Sequence, residues 1–192
     1  MIAYVFWHWK QPPIAAPDYE RVQRAFHDVL QREPPAGFHW SQSFALTGCA
    51  WAAGGGDAYE DRYLVDDFRA LEALEAGAVN ASRKAPHDAA AALAAGGAAG
   101  IYALTQGEHP LTQGEPMRVP RHAAWFSKPA GVSYAALRGI LDPIVKQGEA
   151  SVWMRKMVLG PTPEFCVYSA ELLELPAPIE VLAVPLRPVW PA

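Results

Sequence analysis

Two histidines fall in stretches whose alternation predicts strands, His8 within residues 2–10 and His39 within residues 38–46. An imidazole titrates near neutral pH and can take an acidic C–H or phenol proton, which makes His8 the candidate general base. Arg155, in a later strand-like run, can stabilise the enolate or carboxylate such a step produces. Period-2 geometry puts Tyr4, Phe6, His8 and Lys10 on one face of the first strand and Ala3, Val5, Trp7 and Trp9 on the other. By the same rule His39, Ser41 and Ser43 share a face, as do Trp153 and Arg155, provided no bulge intervenes. His8 and Arg155 are thus the candidate catalytic residues, with Tyr4, His39, Trp125 and Trp153 as candidate substrate-binding residues. Such a set is apolar and aromatic with a few polar groups, the usual make-up of a site for an organic ligand. The competing reading is structural. A strand histidine can simply hydrogen-bond a backbone group or water, and tryptophans dominate ordinary cores.

Other patterns carry less chemistry. There is no His-Glu-x-x-His, no His/Cys cluster and no phosphate-binding glycine loop, so no metal site is expected. Pro86-His87-Asp88 is explained as a helix start, Pro by its preset φ and Asp by the helix dipole. His27 lies beside the apolar stripe of its helix and His109 in a linker, and both are expected to be solvated. Cys49 and Cys166 read as buried small hydrophobes. With 16 Lys and Arg against 20 Asp and Glu, a net charge of -4 leaves no basic excess for nucleic acid or an anionic membrane. No secretory signal and no membrane-spanning run is seen, and a cytoplasmic location is expected.

The elements that must position these residues follow from periodicity. Strand 2–10 leads through a Pro-containing stretch to an amphipathic helix from Asp18, ended by Pro34-Pro35. Residues 38–46 and 59–65 form a hairpin across Gly54-Gly55-Gly56-Asp57, and Asp67 caps a helix over 69–79. A second helical segment opens near Pro86 and ends at Gly96-Gly97, before a short strand at 101–104. The order is β-α-β-β-α-β. A polar Gly/Pro-bearing linker over 106–120 follows, and then the pattern returns. Residues 123–129 resemble the first strand and its Pro exit, which pairs His8 with Trp125. Ser133 caps a helix that Pro143 should kink or shorten, residues 149–159 and 164–173 make a hairpin, and 179–189 a closing strand. The expected domains are residues 1–105 and 121–192, the second lacking room for a second helix.

Two such α+β, ferredoxin-like units, each with one sheet face left open by its helices, resemble the dimeric α/β-barrel superfamily with both halves in one chain, packed sheet to sheet. The resemblance rests on element order and the internal repeat. It implies a cavity between the open sheet faces and a small hydrophobic or aromatic ligand. The chemistries known on the fold include cofactor-independent monooxygenation, isomerisation and cyclisation. No cofactor is expected on this reading. Its alternative is a haem-binding barrel in which His8, His39, His87 or His122 supplies the axial ligand. A third reading is a non-catalytic ligand-binding or structural module. A fused pair already supplies the superfamily's usual partner, so a monomer or a homodimer is expected.

Overall fold

A computed structural model describes residues 1–107, 119–148, 150–158 and 162–191. Most of the linker expected over 106–120, with His109, lies outside the described residues. The chain runs β1 (Ile2–Lys10), α1 (Ala16–Arg32), β2 (Phe38–Leu46), β3 (Ala58–Val65), α2 (Phe68–Ala78), α3 (Lys84–Leu93) and β4 (Ala94–Gln106). It continues with β5 (His122–Phe126), α4 (Tyr134–Gly148), β6 (Ser151–Val158), β7 (Phe165–Ser169), β8 (Leu182–Pro185) and β9 (Arg187–Trp190).

Local chemistry explains the helices that matter for the site. In α1, Pro17 stands in the first turn with Asp18, and Tyr19, Gln23, Phe26, His27 and Leu30 make a buried stripe at helical spacing. His27 is fully buried, against the expectation of a solvated side chain. The Asp67 carboxylate accepts the backbone N–H groups of Arg69 (2.9 Å) and Ala70 (3.0 Å) and fixes the start of α2. Ser133 does the same for α4, accepting from Ala136 N–H. Pro143 lies inside α4, which runs on to Gly148.

The sheet differs from two separate sheets packed face to face. Among the described residues, nine strands form one antiparallel sheet in the order β8-β5-β7-β6-β4-β1-β3-β2-β9. β4 pairs with β1 over residues 94–103 and with β6 over 100–106, so it joins the N-terminal strands to the C-terminal ones. At the other end β8 pairs with β5, and β9, one residue further on, pairs with β2. The sheet therefore curls into a nearly closed barrel, with α1, α2 and α3 outside the N-terminal strands and α4 outside the C-terminal ones. No described helix is long and apolar enough to cross a membrane.

β4 begins at Ala94 and takes in Gly96 and Gly97, which the sequence suggests as a helix end. A Cβ on Gly96 would stand 2.6 Å from the Trp9 ring, and one on Gly97 2.5 Å from the Phe6 ring. These glycines are there because neighbouring rings lie over the strand.

Large side chains pack inside the barrel. Trp7, Trp51, Tyr102, Trp125, Trp153 and Tyr168 pack there with Val5, Phe44, Leu64 and both cysteines. Trp125 contacts Trp51 and Trp7 edge to face at centroid distances of 5.3 and 5.5 Å. Arg62 is buried among them, 3.7 Å from the Tyr168 ring centroid and 4.9 Å from that of Trp153, and it donates to Gln42 at 3.0 Å. Glu60 accepts from Trp7 Nε1 (2.8 Å) and the Tyr168 hydroxyl (2.6 Å), and burial raises its pKa.

Candidate functional site

The cavity lies on the opposite face of the sheet from the one the resemblance implies. It has a volume of about 440 Å³ and sits between the outer face of β1 and β3 and the three helices that cover it. β1 contributes Tyr4, Phe6 and His8, β3 contributes Asp61 and Tyr63, and α1 contributes Tyr19, Gln23 and Phe26. Leu71, Leu74 and Glu75 of α2 and His87 and Ala90 of α3 complete most of the wall.

One carboxylate organises the floor. Asp61 is 2% exposed and its Oδ2 accepts the Tyr63 hydroxyl at 2.9 Å. The same oxygen lies 3.2 Å from His8 Nε2 and 3.3 Å from His27 Nε2, at ion-pair distance without an aligned N–H hydrogen bond. Beyond the imidazoles the string continues on both sides. His8 Nδ1 is 2.6 Å from the Tyr19 hydroxyl, and His27 Nδ1 is 2.8 Å from Ser41 Oγ. Burial alone would raise the Asp61 pKa, but the charges of His8 and His27 outweigh it and hold the carboxyl well below its ordinary value of 3.8. Burial, and then the charge of Asp61, raises the hydroxyl pKa of both Tyr19 and Tyr63.

This is the arrangement of a hydroxyl, a base and an orienting acid, here Tyr19, His8 and Asp61. His8 Nδ1 is held by the Tyr19 hydroxyl, and its Nε2 is buried beside Asp61.

The sequence-derived candidates divide. Tyr4 and His8 line this cavity together, as their shared strand face requires. Trp125 and Trp153 lie in the barrel interior, on the other side of the sheet. Trp125 corresponds in facing to Trp7 and not to His8, so matching the Pro exits misplaces it by one residue. His39 is the extra residue of a bulge between Phe38 and Trp40, and its Nε2 pairs with Asp66 at 2.6 Å on an exposed edge. That bulge is what removes His39 from the face it would otherwise share with Ser41 and Ser43. Arg155 donates to the Thr162 carbonyl in a separate groove beside α4, with Tyr134 and Glu164. Asp61, Tyr19, Tyr63 and His27 escaped the sequence reading. The signal for Asp61 was Glu60-Asp61-Arg62, three charges in a row in a strand flanked on both sides, which buries them on alternate faces.

The lining of this cavity does not fit haem. Of the four candidate axial ligands only His8 and His87 line the cavity. His8 Nδ1 is held by the Tyr19 hydroxyl, and its Nε2 is buried against Asp61. The lining includes no Lys or Arg to pair with haem's two carboxylates and does include Asp61 and Glu75, which would repel them. Among the described residues no group of three or more His, Cys, Asp and Glu is placed to hold a metal ion.

The fold is similar to that of several solved α/β-barrel structures. The chain superimposes on a candidate monooxygenase of Fusobacterium nucleatum subsp. nucleatum with a TM-score of 0.62 at 10% identity, covering 98% of this chain and 92% of that one. It is also similar to an anthrone oxidase-like protein (TM-score 0.50, 8% identity, 98% and 93% covered). A candidate chlorite dismutase gives a TM-score of 0.48 at 12% identity, with 98% and 95% covered. No family model and no curated protein matches the sequence. At these identities the likeness concerns the fold.

Proposed function

We propose that the chain binds a small, mainly apolar, aromatic molecule in the cavity beneath α1, α2 and α3 and transfers a proton there. The observation that carries this reading is the Tyr19–His8–Asp61 string at the floor of an otherwise apolar wall. The substrate gives an acidic C–H or O–H proton to the Tyr19 oxygen as the tyrosine's own proton passes to His8 Nδ1. The enolate or phenolate so formed is the species that isomerises, cyclises or is oxidised by dioxygen, the chemistries proposed for this chain. The matching strand orders β4-β1-β3-β2 and β8-β5-β7-β6 support reading the chain as two related halves, 1–105 and 121–192. Only the first has helices in the position that roofs the cavity.

The test is hydrogen–deuterium exchange at carbon, read by proton NMR, with a panel of weakly acidic aromatic ketones and phenols in deuterated water. The protein should accelerate exchange of at least one compound. His8→Gln and Tyr19→Phe should each lower that rate roughly a hundredfold or more while the compound still binds. If no compound both binds and exchanges faster than in buffer, the reading fails.

A further inference from the structure

We propose that the groove beside α4 is a second ligand site, separate from the first cavity, and that it takes a small amphipathic carboxylate. The groove holds about 410 Å³ between α4 and the strands β4 and β6, and it reaches the start of β7. Its floor is apolar, made by Leu137 and Leu141 of α4, Met154 of β6 and Phe165 of β7. A short alkyl chain laid along that floor leaves water.

Three cations line the same groove, Arg138 from α4 and Arg155 and Lys156 from β6. Consecutive strand residues ordinarily point to opposite faces. Here the register slips, Ile101 facing Met157 and Tyr102 facing Arg155, so Lys156 is the extra residue of a bulge. A bulge re-aims a side chain, and this one lets two neighbours serve one groove. None of the three cations makes an ion pair with a described residue. Arg155 gives an N–H to the Thr162 carbonyl at 2.5 Å, which steadies its guanidinium and leaves the rest of the fork for a ligand. Two carboxylates count against this charge. Glu164 lines the groove, its Oε1 accepting the Tyr134 hydroxyl (2.5 Å) and its Oε2 the Lys128 backbone N–H (3.4 Å). Asp142 stands beside the lining residue Gln106 and accepts from its amide at 2.5 Å. Three cations against two carboxylates still leave one positive charge, which a ligand carboxylate neutralises. The guanidinium fork matches a planar carboxylate, whereas an ammonium group would meet three like charges.

Three probes of one shape test this: octanoate, 1-octanol and octylammonium, each titrated calorimetrically into the full chain at low salt near neutral pH. Octanoate should bind about tenfold or more tighter than octanol, as hydrogen bonds between charged groups imply, and octylammonium more weakly than either. Arg138→Gln combined with Lys156→Gln, both at exposed positions, should weaken octanoate about fivefold and leave octanol unchanged. Ala90→Leu, which narrows the first cavity, should leave octanoate binding as it was. Octanoate that does not bind, that binds no tighter than octanol, or that the double variant does not weaken overturns the proposal. Loss of octanoate binding in Ala90→Leu overturns it too, because the probe then occupies the first cavity. None of these outcomes touches the proton transfer proposed for that cavity, which the exchange experiment tests by itself.

Discussion

Asp61 keeps its charge in a place where burial should remove it, because two imidazoles share one of its oxygens. Its neighbour Glu60 points to the opposite face, meets neutral donors and a more distant guanidinium, and has its pKa raised. Adjacent carboxyls are thus driven apart by which side of one strand they occupy. For Asp61 the folded pKa is depressed, so its stabilisation is present above the ordinary value of 3.8 and is lost as pH falls through the folded value. Asp61→Asn removes the buried carboxylate that both imidazoles face and should cost about 3–5 kcal/mol near neutrality. Urea unfolding of both proteins should show that difference shrinking as the pH is taken below 3.8.

At the scale of elements, two glycines make opposite predictions. Gly97 in β4 faces the Phe6 ring and the Trp7 carbonyl, 3.0 Å from where a Cβ would stand. Gly97→Ala must move that ring or the strand and should cost about 1–3 kcal/mol. Gly139 in α4 has nothing within 4 Å of a Cβ, and Gly139→Ala should stabilise by about 0.5–1 kcal/mol through helix propensity. Thermal unfolding of the pair checks both signs at once. The bulge at His39 belongs to the same scale. One extra residue in β2 decides which side chains reach the helices, and the alternation of residues 38–46 carries no mark of it.

For the whole molecule, the nearly closed barrel separates what stabilises from what binds. Trp125 packs in the interior against four other aromatic side chains, and Trp125→Ala should cost about 3–5 kcal/mol. Because the cavity lies on the outer face, the folded fraction should still bind ligand. Ala90→Leu, from α3 into the cavity wall, should do the reverse and weaken binding about tenfold or more at little cost in stability. Unfolding and binding measured on the same samples distinguish these roles. Equal loss of binding in both variants would show that the two faces are not independent.

The amino-acid sequence by itself determined most of the local structure. Period-2 and helical spacing, Pro exits and the Asp67 and Ser133 caps place β1, α1, β2, β3, α2 and α4 to within a few residues, and the element order implies the barrel superfamily. It also put Tyr4 and His8 on one face, because alternation along a strand is a local property. Only the tertiary structure decided which side of the sheet is hollow. That depends on how volumes fill the barrel when β4 and the β8–β9 pair join its two ends, and seven tryptophans carry no label for inside or outside. The same holds for the meeting of Tyr19, His8, Asp61 and His27. Three separate elements deliver those side chains to one carboxylate oxygen, and their convergence is a property of packing that spacing along the chain does not encode.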